Sequence, residues 1–249
     1  MNDKHPKSAL VSGASRGIGL GIAQRLARRG YALTITARDA DRLDVVAADL
    51  RAAGAAETVS VAADMADPQG VERVLARHAD HFGSMSALIL NAGVGTAGAL
   101  ADSSMRRFDK TLAVNLRAPV QLIQGALPML RAGAATEPAH GAKVIALSSI
   151  SGVYAEAGLA VYGAAKAALI SLIATLNAEE SGNGVTGTTI APGYVDTEMS
   201  EWIHDRIPPE QMLTVNDVVE MVDSLLRLSS RAVVPNIVMS RAGTDGYRA

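Results

Sequence analysis

Three residues in this sequence have types and spacing that could do chemistry together: Ser149, Tyr162 and Lys166. Tyr162 and Lys166 are four apart at the start of an Ala- and Leu-rich run. In a helix that spacing stacks both side chains on one face, a turn apart. A phenol ordinarily loses its proton near pH ~10. An adjacent ammonium favours the phenolate and lowers that value. A tyrosine so placed can donate and accept a proton near neutral pH. Ser149 lies thirteen residues earlier, where an apolar strand-like run ends, and its hydroxyl could hydrogen-bond a substrate oxygen. Taken alone, Tyr-x-x-x-Lys is more often an amphipathic tyrosine beside a solvated lysine. The rest of the chain decides between these readings.

A second device lies near the N-terminus. Ser8–Ser12 reads as a short buried strand, followed by Gly13-Ala-Ser-Arg-Gly17-Ile-Gly19 and a helical run ending near Gly30. Glycines let the backbone approach a pyrophosphate, and the helix N-terminus offers free amides and a positive dipole end. The next strand, Ala32–Ala37, ends at Arg38. Folds that select NAD tend to place an acid there to hold the ribose 2′-hydroxyl, whereas an arginine attracts a 2′-phosphate. Arg38, with Arg16 inside the turn, therefore favours NADP(H) over NAD(H), and Asp39 argues mildly against it.

The remaining elements alternate. A helix over about Asp41–Ala53 precedes strand Thr58–Ala62, which runs into Asp64 and Met65. An acid there could accept from an adenine amine. Pro68 opens a helix to about Phe82, in which His78 and His81 read as surface residues. Strand Ala87–Leu90 ends in Asn91-Ala92-Gly93. A long helical region, about Ser103–Arg131, contains Asn115, and Pro119 and Pro128 should interrupt it. Residues 132–141 read as a surface loop. Lys143–Leu147 delivers Ser148 and Ser149. The Tyr162 helix carries an apolar stripe at Leu169, Leu172, Ile173 and Leu176, and small residues at Ala164, Ala165 and Ala168. Thr186–Ile190 leads to Pro192-Gly193. An irregular substrate-loop insertion covers 194–213, a helix about 214–229, and a seventh strand Asn236–Met239. Strand and helix alternate with no linker-like break, which implies one doubly wound parallel α/β sheet over the whole chain.

Composition narrows the function classes. The 249 residues are 49% hydrophobic, with a formal net charge of −2 and no cysteine. That charge gives no reason to expect nucleic acid or a membrane surface as partner. Without cysteine there are no thiolate nucleophiles or thiolate metal ligands, and no metal site is expected. The doublets Arg28-Arg29 and Arg106-Arg107 read as solvated helix faces. Residues 1–7 are a polar tail without an apolar signal core, and no uninterrupted apolar run of about 18 residues is expected to span a membrane. These readings point to a cytoplasmic protein.

Together, Gly13-x-x-x-Gly17-x-Gly19, Asp64, Asn91-Ala-Gly93, Asn115, Ser149, Tyr162-x-x-x-Lys166 and Pro192-Gly193 with Thr197 resemble the short-chain dehydrogenase/reductase superfamily in order and spacing. The resemblance covers nearly the whole chain. It implies a Rossmann sheet in the order 3-2-1-4-5-6-7 and a catalytic tetrad. Tyr162 would exchange the proton and Ser149 would orient the substrate oxygen. Lys166 would hold the nicotinamide ribose and lower the tyrosine pKa. Asn115 would anchor a water leading to Lys166. The implied cofactor set is Gly13, Ser15, Arg16, Gly17, Ile18, Gly19, Arg38, Asp64, Met65, Asn91, Ala92, Gly93, Tyr162, Lys166, Pro192, Gly193, Val195 and Thr197. The substrate pocket should draw on Val94, Ile150, Ser151, Tyr154, Tyr194, Met199 and Trp202.

The expected activity is interconversion of a small-molecule ketone and secondary alcohol. The alternatives are a 3-oxoacyl-carrier-protein reductase and an idle dinucleotide sensor. A carrier-docking enzyme would be expected to show basic residues just before the fifth strand, where this chain has His140, and at the end of the tyrosine helix, where it has Glu179, Glu180 and Asn183. A homodimer or homotetramer is expected, with the small-residue face of the tyrosine helix as contact. The tail Arg241–Ala249 departs from the Asp-Gly-Gly ending of many relatives.

Overall fold

Seven strands, each a short apolar run, pair in parallel in a computed structural model that describes residues 6–95 and 97–247. They are β1 (Ser8–Ser12), β2 (Ala32–Ala37), β3 (Glu57–Ala62), β4 (Ala87–Leu90), β5 (Ala142–Leu147), β6 (Val185–Pro192) and β7 (Asn236–Met239). Every residue of β1, β4, β5 and β6 is buried. Continuous rather than alternating burial is what a parallel sheet covered on both faces demands. The order is β3-β2-β1-β4-β5-β6-β7, as the family resemblance implied.

Helices α1 (Gly17–Arg28), α2 (Ala40–Ala52) and α7 (Val215–Leu226) cover one face. Ile22, Leu26, Leu43, Leu50, Val218 and Val222 pack there against Val11, Leu33 and Ile35. The other face takes α3 (Pro68–Phe82), α5 (Ala118–Thr136) and α6 (Ala160–Glu180), through Val71, Val74, Leu122, Leu130, Leu169 and Ile173. A short helix α4 (Met105–Leu112) precedes α5.

Several expectations need correction. The helical region does not stop at Arg131: α5 continues to Thr136, into the segment read as a loop. The reason is close packing, since a side-chain carbon on Gly133 would overlap the Met85 carbonyl. Pro119 sits in the first turn of α5, where its missing N–H costs nothing, but Pro128 lies inside the helix without ending it. The division falls instead at a π-helical turn over Ala113–Arg117, between α4 and α5.

His78 is not a surface residue. It is fully buried, contacts Thr34 Oγ1 through Nδ1 at 2.9 Å and Ser84 O through Nε2 at 3.1 Å. Arg29 is not merely solvated either. Together with Arg25 and Arg227 it pairs with buried Asp223, tying α1 to α7. Ala165 faces the core, so only Ala164 and Ala168 remain on the outer face of α6. The stretch 160–183 is long and apolar enough, by length and composition, to cross a membrane, although Lys166, Glu179 and Glu180 interrupt it. Its place against β5 and β6 accounts for that apolarity: Leu169, Ile173 and Leu176 are core residues.

Candidate functional site

Four strand ends converge where the sheet order reverses, between β1 and β4, which is where open α/β sheets bind ligands. The turn after β1 uses left-handed backbone at Gly13 (φ 67°) and Gly17 (φ 54°), which favours glycine. Gly19 is required for another reason: a β-carbon there would overlap the Gly13 carbonyl oxygen. The helix that follows, α1, has no side-chain cap and no acid in its first turn. By contrast, α2, α3, α4 and α7 are capped by Asp39, Asp67, Ser104 and Thr214. Uncapped amides at the end of a glycine cradle suit a pyrophosphate. Asp39, which argued mildly for NAD, spends one carboxylate oxygen on its cap, accepting from Arg42 N at 3.0 Å.

The turn after β4 is bolted to this cradle. Ser12 Oγ accepts from the amides of Asn91 (3.0 Å) and Ala92 (3.1 Å) and donates to Ile89 O (3.2 Å). Gly93 leaves room for Asn115 and Lys166: a β-carbon there would stand 3.4 Å from Asn115 Oδ1 and 3.6 Å from Lys166 Nζ.

Ser149 ends the extended chain after β5 and caps a single 3-10 turn, Ile150–Gly152. That turn packs tightly onto α6 because two glycines permit it. A β-carbon on Gly152 would lie 2.8 Å from Lys166 C, and one on Gly163 2.7 Å from Ser151 O. The sequence reading assigns neither glycine a role, though Gly152 lies between Ser149 and Tyr162 and Gly163 inside Tyr162-x-x-x-Lys166. Ser149 thereby comes close enough to Tyr162 to favour its phenolate, and Ser149 Oγ accepts from Ser151 N at 3.2 Å and Ser151 Oγ at 2.9 Å. Lys166 Nζ sits 5.6 Å from the Tyr162 ring centroid and donates to Leu147 O at 2.6 Å.

The electrostatics differ from the expectation that Lys166 lowers the Tyr162 pKa. Burial pushes the phenol up to about 12, with the Ser149 hydroxyl working the other way. Burial also pulls Lys166 down to about 8. Desolvation sets both shifts, and neither draws on the other group's charge. Asn115 is held in place through its side chain. Its side chain accepts from Val94 N and donates to Val94 O, both at 2.9 Å. That commits the amide to fixing the chain after Gly93, and any water it anchors must be held by its backbone in the π-helical turn.

The other cofactor candidates occupy the same rim. Ser15 O accepts from Arg42 Nε at 3.0 Å, and Ile18 packs partly buried against the core. Asp64 is exposed, with Oδ1 accepting from Ala66 N at 2.9 Å, while Met65 turns into the core. Gly193 N donates to Met239 O at 2.8 Å, after Pro192 closes β6. Val195 is buried, and Ser200 Oγ binds Val195 O (2.7 Å) and Thr197 O (2.8 Å). Arg38 is exposed and makes no side-chain hydrogen bond or ion pair among the described residues. Arg16 pairs with Glu198, and Arg42 Nη2 stands 3.8 Å from the same carboxylate. Arg42 and Glu198 were not found from sequence, since only the fold brings them together.

A cavity of about 730 Å³ is walled by Ile150, next to Ser149 in the chain, and by Tyr154, Leu159, Tyr194, Trp202 and Ile207 among others. Of the seven pocket candidates, Ile150, Tyr154, Tyr194 and Trp202 line it. Val94 is held by Asn115, Ser151 is buried against Ser149, and Met199 points outward near Gly95. Tyr247, missed from sequence, also lines it, its ring 5.1 Å from that of Tyr154. Tyr194 OH donates to Glu156 Oε1 at 3.3 Å within the same wall.

This fold and site define a class of protein, and comparison with known proteins agrees. A family profile described as short chain dehydrogenase matches residues 7–207. The 3-oxoacyl-[acyl-carrier-protein] reductase FabG of Staphylococcus aureus is 33% identical over 215 residues, 85% of this chain and 83% of the relative. A short chain dehydrogenase from Burkholderia cenocepacia, solved in complex with NADP, superposes with a TM-score of 0.82 at 32% identity, covering 94% of this chain and 95% of that one. An alcohol dehydrogenase from the archaeon Thermococcus sibiricus, complexed with 5-hydroxy-NADP, gives 0.85 at 28% identity over 98% and 99%. The chain belongs to the short-chain dehydrogenase family and is an NAD(P)-dependent oxidoreductase acting on CH–OH groups.

Proposed function

We propose that the protein uses NADP(H) to interconvert a medium-sized ketone and its secondary alcohol, with Tyr162 as the general acid and base. The observation that carries this reading is the convergence of Ser149, Tyr162 and Lys166, with Ile150, the residue after Ser149, in the wall of the cavity. When bound, the dihydronicotinamide supplies the hydride that reaches the carbonyl carbon. A carbonyl oxygen accepting from both Ser149 and Tyr162 is polarised and fixed. With its pKa at about 12, Tyr162 is protonated at neutral pH and gives its proton to the alkoxide oxygen. Lys166, beneath the ring, stabilises the phenolate left behind. Arg38 and Arg16 supply the charge for a 2′-phosphate, and two similar structures carry NADP or a derivative.

The likeness to FabG favours a second reading, reduction of a 3-oxoacyl group on a carrier protein. Against it, Arg131 beside the end of α6 is spent on Glu180, which also accepts from Asn183. For oligomers, the face of α6 bearing Ala164 and Ala168 is the contact we favour.

Purified protein incubated with both nicotinamides and a panel of ketones, alcohols and acetoacetyl thioesters tests these readings. Free ketones should be reduced faster than thioesters, and with NADPH. Tyr162→Phe should abolish turnover while cofactor binding persists. A variant retaining most of its rate would remove the proton-transfer role.

A further inference from the structure

The segment after β6 lies directly on the glycine turn. A β-carbon on Gly17 would stand 3.4 Å from the Thr197 methyl, and the next residue, Glu198, reaches Arg16 and Arg42. Arg42 is oriented for this by its Nε bond to Ser15 O. Thus a carboxylate from the substrate-loop side is seated on an arginine pair at the cofactor side. Arg38, which directly follows β2, has no side-chain partner among the described residues.

We propose that Glu198 is a specificity-determining residue: its carboxylate stands in for the 2′-phosphate on Arg16 and Arg42, and the phosphate must displace it. This rests on the NADP(H) reading above. A phosphate carries more charge and more acceptor oxygens than a carboxylate, so it outcompetes Glu198 for the arginine forks. NAD(H), with a neutral 2′-hydroxyl, leaves the ion pair intact. Two consequences follow. Glu198 weakens binding of every 2′-phosphorylated ligand, and binding of such a ligand releases the 194–213 segment from the glycine turn. That segment carries Tyr194 and Trp202 of the cavity wall, so the cofactor's phosphate is coupled to the substrate side.

The experiment measures equilibrium binding of NADP+, NAD+ and 2′,5′-ADP to the wild type and to Glu198→Gln. Exposed ion pairs are weak, so the variant should bind NADP+ and 2′,5′-ADP about twofold to fivefold tighter, with NAD+ changed by less than about 1.5-fold. Equal tightening for NAD+ would place the competition at the shared pyrophosphate and overturn the assignment, as would no change at all. Wild-type hydrogen exchange gives a readout independent of the variant. Amides in 194–213 should exchange faster with 2′,5′-ADP bound than with AMP bound, and equal protection overturns the coupling. A wild type that binds NADP+ no tighter than NAD+ would sink the NADP(H) reading instead, whatever the variant does.

Discussion

The side-chain amide nitrogen of Asn91 donates to the carbonyls of both Ser12 and Gly13, each at 3.0 Å. This joins the turn after β4 to the turn after β1, and Ser12 Oγ accepts two further bonds from the same turn, from the amides of Asn91 and Ala92. The residue expected to line the adenosine side is therefore also the brace of the glycine cradle.

Asn91→Ala removes both bonds and leaves two part-buried carbonyls without their partner. The expected loss of folding stability is roughly 1–3 kcal/mol, accompanied by weaker cofactor binding. Urea denaturation and NADP+ titration on the same preparation check it. Weakened binding at unchanged stability would mean that Asn91 serves the ligand alone.

His78 gives the fold an acid-sensitive point. Burial pulls its pKa down to about 4, only partly offset by the Ser84 carbonyl. In the unfolded chain the ring titrates near pH ~6.5, so between those values the unfolded state binds more protons. His78's contribution is fully present above about pH 6.5 and is lost as pH falls toward 4, up to roughly 3 kcal/mol in all. Denaturation midpoints at pH 7 and pH 5 should show the drop, and His78→Gln should flatten it.

His78 also shows where reading the sequence failed. It follows Val71 and Val74 at helical spacing, so the apolar stripe of α3 already included it. The acidic and basic neighbours at Arg77 and Asp80 masked that period. The strands and glycine turns were legible because each is a local matter, a short apolar run or a backbone that only glycine accepts. Residues 132–136 were not legible. Their Ala and Gly content fits loop or helix equally, and the deciding contact, Gly133 on the Met85 backbone, is made across the fold. The tetrad candidates were legible as residue types, but Gly152 and Gly163, which press the Ser149 turn onto α6, act through space. The Lys166–Leu147 bond and the Asn115–Val94 pair have no sequence signature at all.

Arg38 is the cation at the end of β2 that no described residue pairs with. Arg38→Asp should weaken NADP+ by losing one charged contact, roughly 1.5–3 kcal/mol, or about tenfold to a hundredfold in affinity. NAD+ should gain relative to it. Titrating both nucleotides against the variant checks this, and an unchanged preference would show that the phosphate is held elsewhere.

Lys166 makes activity and stability move in opposite directions with pH. Burial holds its pKa at about 8, so the ammonium that stabilises the phenolate is lost above that value, while Tyr162 stays protonated to about 12. The rate of ketone reduction should therefore fall about tenfold per pH unit above roughly pH 8 if the charge is required. Stability runs the other way. The unfolded lysine holds its proton to about pH 10.4, so between pH 8 and 10 the unfolded state binds more protons and this group's contribution rises with pH. Denaturation of the alkaline enzyme would instead make both fall together. Rate profiles with denaturation midpoints taken from pH 7 to 10 separate the two, and Lys166→Met should remove this group's alkaline gain in stability. A wild-type rate that stays level to pH 10 would show that the phenol works without the ammonium.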